Sequence, residues 1–397
     1  MEHRNSTVIS GTRDIRDSAT QLISAVAHEF FHSWDVKRIR PKALEPFDYE
    51  NPNMSGELWF AEGFTNYYGP LSLKRAGIES IERFVRGQGG AVSSVLTAPG
   101  RQIFNVVDMS RHAVLFDGGG TADTNSSNTF ISYYTYGQAI ALGNDLAIRA
   151  QFPGKSLDDW MRAMWNEHPD TQKPYTLEDL QQTLASVTSK EFAASLFANH
   201  IYGNEPMDYE KLLARAGVFL RKASTPKIYT GAQNFTFTDR GAEIAAVTPR
   251  GSPLYNAGLD RGDRIPEWDG KAIKAQADMT TLLDAHKPGD KIKRKVETRA
   301  GNKDVELELA GPPGYEMEPY EMAGKELTPE MKTFRDSCLS SKAIHPAPSP
   351  VKYCSVRKRS LAFEYTNCPL DGTALSFIPG GPPESTGGGR GGGSRWR

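Results

Sequence analysis

The chain has 397 residues, 38% of them hydrophobic and 24% charged, with 47 basic against 48 acidic side chains and a formal net charge of −1. That length suits two or three globular domains. The near-neutral balance argues against a nucleic-acid partner, and without a run of some 18 apolar residues no membrane-spanning helix is expected.

The opening MEHRNSTVIS is polar and lacks the basic start, apolar core and small-residue cleavage site of an export signal. From about Ser18 to Val36 the pairs Leu22-Ile23, Val26-Ala27 and Phe30-Phe31 recur every four residues, which predicts a helix with one apolar face and Asp17 or Ser18 as N-cap. Pro41 and Pro46 punctuate an irregular connection. A second helix is predicted from near Ser55 through SGELWFAEGFTNYY, kinking or stopping at Gly69-Pro70. A glycine-rich patch, Gly118 to Gly120, and the polar stretch TADTNSSN precede a third helix in ISYYTYGQAIALGNDLAIRAQF. SLDDWMRAMWNEH, TLEDLQQTLASV and KEFAASLFANHIYG read as further helices, the second with Thr176 as cap and Glu178 in its first turn. Residues 1–222 thus form a mainly helical unit.

After Lys222 the composition changes. Residues 225–311 carry short alternating strands separated by Gly and Pro, ending in KIKRKVETRAGNKDVELELAG, two strands about a Gly-Asn turn. Residues 312–344 are expected to be an extension with one short helix. From 345 to 397 the chain is Pro-rich and then low in complexity, and a disordered tail is expected. Cys338, Cys354 and Cys368 form an odd, late set. It argues against a disulfide scaffold or a cysteine metal site in the main body, and leaves a Cys354–Cys368 bridge or free thiols as alternatives for the tail.

The segment SAVAHEFFHSWDVKRIRP holds His28, Glu29 and His32. Four helical residues turn through roughly 400°, so the two imidazoles project from one face about one turn apart and can share a Zn²⁺. A carboxylate beside the first histidine is the group that takes a proton from water in H-E-x-x-H sites. The bland alternative is a helix that merely carries two histidines. A third ligand is required, and Glu62 is the candidate. It lies on a predicted helix between Phe60-Ala61 and Gly63-Phe64, and a carboxylate turned inward needs a cationic partner. Its alternative role is a structural salt bridge with Arg38 or Arg40.

HEFFHSWDVKRIRP, ELWFAEGFTNYY and SYYTYGQAIAL, in that order, resemble the glycyl aminopeptidase family of zinc peptidases, relatives of the leucine/alanyl aminopeptidases and of thermolysin-like enzymes. The resemblance extends over roughly residues 1–340. It implies a mainly α, thermolysin-like catalytic domain followed by a small α+β domain, and one Zn²⁺ per chain held by His28, His32 and Glu62. Glu29 would then be the catalytic base and acid. The family's Tyr-Tyr-x-x-Gly segment aligns with Tyr133, Tyr134 and Gly137, which makes Tyr134 the hydrogen-bond donor to the oxyanion, with Tyr133 and Tyr136 as competitors. MEHRNST resembles the family's Gly-Gly-x-Glu-His segment, so Glu2 is either the carboxylate that binds the substrate α-amine or a frayed terminal residue. Departures from the family pattern are Tyr136 where Lys is usual, Asp35 where Asn is commoner, Pro70 two turns after Glu62, and Gly143-Asn144 in place of an apolar pair.

GAEIAAVTPRGSPLYNAGLDRGDRIPEWDGKAI resembles a bacterial-type PDZ domain. Such a domain would bind a peptide C-terminus by strand addition near Tyr229 to Phe235, or serve as packing alone. Because the family places a β-rich domain before the glutamate segment, this chain is expected to lack that domain together with any export signal; a periplasmic or extracytoplasmic location is the expectation. Peptide or protein substrates are implied, with small first residues such as Gly or Ala. Rival readings are a zinc endopeptidase whose PDZ domain recruits substrates, and an inert peptide-binding scaffold.

Overall fold

The structure, a computed structural model, describes residues 2–3, 6–9, 15–116, 125–224, 227–232, 234–268, 270–341, 351–357, 359–362 and 367–376. Two compact units emerge: residues 1–7 with 27–340, and residues 8–26 with 341–397. The glycine patch at 118–120 lies outside the described residues.

The larger unit takes residues 27–31 of α1 (Ile15–Phe31) and is built on α2 (Leu58–Ala61), α3 (Gly63–Arg75), α4 (Ile81–Thr97) and α5 (Tyr133–Gln151). Helix α5 packs along both α3 and α4. Their shared core is aromatic at one end, with Trp59, Phe60, Phe64, Tyr67, Trp160 and Tyr175 fully buried, and aliphatic at the other, through Leu71, Val92, Ile140 and Ile148. Burial of large apolar side chains drives this packing, along one stripe of α4 and on nearly every side of α3 and α5. The helices Leu157–Glu167 and Leu177–Val187 close the core, the latter opened by a capping box in which the Asp179 carboxylate accepts from the Thr176 amide.

Three helix expectations are corrected. The second predicted helix is broken at Glu62, which lies between α2 and α3 with φ −98° and ψ −41°. Pro70 neither stops nor ends α3, which continues to Arg75; the bond lost at proline is outweighed by burial of Tyr67, Tyr68, Leu71 and Leu73 around it. The KEFAASLFANHIYG helix ends at Leu196 and passes into a wide turn over Phe197–Ile201. Helix α4 had no counterpart in the sequence reading, because Gly87, Gly89 and Gly90 mask its apolar period; its cap is Ser80, whose hydroxyl accepts from the Arg83 amide.

Residues 235–308 supply an antiparallel five-stranded sheet in the order Gly301–Glu308, Lys291–Thr298, Arg264–Ile265, Gly241–Ile244, Phe235–Thr238. It has its own core of Ile244, Leu254, Ile265, Trp268, Val296 and Leu307. The hairpin turn is at Arg299-Ala300, since Thr298 pairs with Gly301, and not at the expected Gly-Asn. Asn128 fastens this domain to the helical body: its amide donates to the Thr248 carbonyl at 3.0 Å and its oxygen accepts from the Arg250 amide at 2.6 Å.

The extension is more than an appendage. Tyr315–Pro319 pairs antiparallel with Val218–Lys222, from Tyr315 opposite Lys222 to Pro319 opposite Val218. The β domain is therefore strung between two neighbouring strands. The following helix, Pro329–Leu339, returns Cys338 and Leu339 to the core of the helical body. The tail expected to be structureless also differs: Val351–Cys354 and Arg359–Ala362 form an antiparallel ladder. Its composition is low in apolar residues, but cysteine-bearing turns give it a nucleus.

Candidate metal and peptidase site

Helix α1 carries His28 in its last turn and His32 just past its end, and Glu62, between α2 and α3, faces them. Nε2 of His28 and Nε2 of His32 are 3.0 Å apart. Glu62 Oε2 lies 3.3 Å from the first and 3.2 Å from the second. Packing enforces this register. Phe31 stacks on Tyr68 at 4.7 Å with an interplanar angle of 7°. A Cβ on Gly69 would stand 3.2 Å from the His28 amide nitrogen, so α1 and α3 touch there through backbone.

The arrangement selects against a salt bridge as the role of Glu62. Arg40 pairs with Glu45 at 2.7 Å, and Arg38 donates to the Ser33 carbonyl. Glu62 is left with the two imidazoles. His32 Nδ1 is 2.8 Å from the Asp35 carbonyl; donating there leaves Nε2 as a lone pair aimed at Glu62. Glu62 Oε2 is buried, and the two imidazoles approach it at ion-pair distance without hydrogen-bond geometry. Two imidazole nitrogens and a carboxylate oxygen converging on one point fit a divalent cation.

Without a metal, the cluster holds charge by itself. Burial opposes the charged form of His32, but the Glu62 carboxylate and then the Asp35 carbonyl outweigh it and raise the imidazole to about 9. Burial likewise pushes Glu62 up, and the two histidines outweigh it and lower Glu62 to about 2. Asp35 is different. Completely buried, with neither carboxylate oxygen paired, it is driven well above the usual range by burial despite the opposing pull of His32. A neutral Asp35 offers the same shape as an asparagine.

Glu29 stands one residue after His28, and the Thr7 hydroxyl donates to its Oε2 at 3.1 Å. This positioning contact joins residues 22 apart in sequence, and no local pattern announces it. The Asp35 carbonyl was also missed, although its three-residue spacing from His32 at a helix end was a usable signal. Tyr134, at the start of α5, is half-buried, and its ring lies 6.3 Å from that of His28 at 25°. Its two competitors are placed otherwise: Tyr133 and Tyr136 are buried, and the Tyr136 hydroxyl has no partner, with burial pushing its phenol up to about 12. Glu2 pairs through its backbone with Thr7, while its side chain lies outside the described residues. A cleft of about 760 Å³ reaches Glu62, with Lys37, Arg38 and Arg40 on its walls beside Phe47, Tyr49 and Leu58.

Two segments of the chain match models of known families. Residues 21–140 match the family model of M61 glycyl aminopeptidases, and residues 231–309 match that of PDZ domains. A crystal structure of an aminopeptidase N family protein from Idiomarina loihiensis superposes with a TM-score of 0.65 at 24% identity, over 84% of this chain and 57% of that one; at that identity the likeness carries the fold alone. Over 70 residues, 18% of this chain and 15% of the relative, there is 37% identity to a probable periplasmic serine endoprotease, DegP-like, of Hahella chejuensis. A Do-like HtrA serine protease of Lactobacillus helveticus is 35% identical over 71 residues, 18% of this chain and 17% of its own. The chain thus spans a small part of these two curated relatives. It carries one segment like the M61 glycyl aminopeptidase family and one like PDZ domains, and no helix among the described residues is long and apolar enough to cross a membrane.

Proposed function

We propose that the protein is a zinc-dependent aminopeptidase that releases small N-terminal residues such as Gly or Ala. The observation that carries this reading is the convergence of one donor atom each from His28, His32 and Glu62 within 4.8 Å. These three side chains would hold the metal. When bound, zinc acidifies water toward a pKa of about 7 and polarises a carbonyl group.

The chain's own residues do the rest. Glu29, with one oxygen held by Thr7, takes the proton of the attacking water and passes it to the leaving amine. Tyr134 donates a hydrogen bond to the oxyanion. His32 is kept in one tautomer by the Asp35 carbonyl, so that Nε2 stays available. Glu2, by its family resemblance, binds the substrate ammonium and restricts the enzyme to free N-termini. The PDZ domain would take a peptide C-terminus by strand addition along Phe235–Thr238, an edge strand of its sheet that follows the Tyr229–Phe235 segment.

The test is turnover of glycyl and alanyl anilides together with metal content. Glu29→Gln is expected to keep its zinc and lose hydrolysis by at least about 10²–10⁴-fold. Normal turnover in that variant removes Glu29 from the mechanism. The PDZ domain favours a second reading, an endopeptidase with recruited substrates, and peptides with blocked N-termini separate the two: cleavage of blocked peptides at undiminished rate selects the endopeptidase.

A further inference from the structure

We propose that the C-terminal unit binds a metal ion of its own, a zinc held by the thiolates of Cys354 and Cys368 and the carboxylate of Asp371. One ligand-capable atom from each of the three lies within 4.8 Å of the others. Both cysteines are buried, at 0% and 2% exposure. The Cys354 sulfur is 3.9 Å from each Asp371 carboxylate oxygen.

The chain is folded to bring these groups together. Cys354-Ser-Val-Arg357 and Cys368-Pro-Leu-Asp371 are two four-residue turns of the Cys-x-x-X kind, the spacing with which paired turns grip one ion. In the first, the Arg357 amide donates to the Cys354 sulfur at 3.3 Å. In the second, the Gly372 amide donates to the Cys368 carbonyl at 2.8 Å, and the Thr373 amide holds Asp371 Oδ1 at 3.0 Å. Reciprocal backbone bonds between Tyr353 and Ser376, at 2.6 and 3.1 Å, lock the first turn beside the second.

Energetics call for a staple here. The buried core of this hairpin is Cys354, Cys368 and Leu375, with Leu361 against it. Units below about 40 residues seldom hold together on apolar burial without a disulfide or a metal. A disulfide would employ the two sulfurs alone and leave Asp371 only its bonds to Thr373 and Arg357. A divalent ion employs all three donors, and its two thiolates and carboxylate leave a net charge of −1. The Arg357 guanidinium, whose Nε donates to Asp371 Oδ2 at 2.8 Å, offsets that charge. Arg357 stands where the spacing would place a fourth ligand, and a guanidinium has no lone pair to offer. Among the described residues no fourth side chain joins the three, which leaves that position open to water, and loading releases the two thiol protons to solvent. Two soft sulfurs with one carboxylate select zinc over calcium or magnesium.

The test is cobalt titration of the full chain under reductant, read by thiolate-to-cobalt charge-transfer absorption. The histidine–glutamate cluster contains no sulfur, so this band reports the C-terminal ion alone, whatever becomes of the peptidase reading. The band is expected to saturate by about two added cobalt per chain, since the histidine–glutamate cluster can take one without contributing to it, and to disappear in Cys354→Ser and in Cys368→Ser. Arg357→Ala should weaken binding about 10–100-fold, while Arg357→Cys, which supplies a further thiolate, should tighten it. Absence of the band in the reduced wild-type chain at saturating cobalt overturns the proposal, as does a band that survives both serine variants. A Cys354–Cys368 disulfide in the isolated protein, joined to failure of the reduced form to take cobalt, overturns it in favour of a covalent staple.

Discussion

Gly63 and Gly137 meet backbone to backbone. A Cβ on Gly63 would stand 2.4 Å from the Gly137 Cα, and one on Gly137 would stand 2.0 Å from the Trp59 carbonyl oxygen. Gly63 follows Glu62 directly, and Gly137 lies one turn after Tyr134. The contact therefore sets how close the helix bearing the tyrosine comes to the carboxylate. Alanine at either position must push α3 and α5 apart. Gly137→Ala is expected to lose about 1–3 kcal/mol or more of stability in urea unfolding and to lose turnover beyond what its folded fraction explains. A variant with the wild-type midpoint and rate would show that the crossing tolerates a methyl group.

The three tyrosines of α5 separate by substitution. Tyr134→Phe should lower kcat about 10²-fold or more, with KM changed little, as expected of a donor used only in the transition state. Tyr136→Phe removes a buried hydroxyl that has no partner, so its stability should be unchanged or raised by about 1 kcal/mol. Loss of activity confined to Tyr136→Phe would reverse the assignment.

Asp145 is a buried junction in α5. It accepts from Tyr67 at 2.8 Å, from Arg149 at 2.9 Å, from the Leu157 amide at 3.0 Å and from the Cys338 thiol at 3.0 Å. Asp145→Ala removes the nearer carboxylate of the buried Arg149, leaving it the Ser337 carbonyl at 2.6 Å and Asp158 at 3.8 Å, and should cost about 3–5 kcal/mol in denaturant unfolding. Cys338, its thiol held up by burial and by the Asp145 carboxylate, should resist alkylation in the native protein and react only on unfolding; rapid native labelling would contradict the packing.

Acid should weaken the fold through Asp158. Burial pushes this carboxyl up, but Arg75, bonded to it twice at 3.0 Å, holds it below the ordinary value with help from Arg149 and Tyr68. A depressed folded-state pKa contributes stability that is complete above the unfolded value of about 3.9 and is lost as pH falls through the folded value. The stability difference between wild type and Asp158→Asn, on the order of 2–3 kcal/mol, should be constant from about pH 5 to 8 and shrink below about pH 4. A difference that stays level down to pH 3 would rule out this pair as the source.

Much of the candidate site was legible because its signals are local. The four-residue step from His28 to His32 needs only helix geometry, and Glu62 stood out as a carboxylate among aromatics. What escaped the sequence depends on contacts between distant segments. Thr7 reaches Glu29, Tyr315–Pro319 returns to Val218–Lys222, and Pro70 is tolerated inside α3 because its neighbours are buried. The cysteine turns of the tail were hidden by a different cause. Proline- and glycine-rich composition around them suggested no core, and a nucleus of two sulfurs leaves almost no hydrophobic trace.

Lys222 and Tyr315 face each other as the last rung of a ladder, and everything from 223 to 314 leaves and re-enters the body between them. Such a module is joined to the body through this rung and through the Asn128 bonds to Thr248 and Arg250. It can be gained, exchanged or shed as one cassette, since a tight hairpin across that rung would close the gap while leaving the helical framework and its cluster of histidines and glutamate in place.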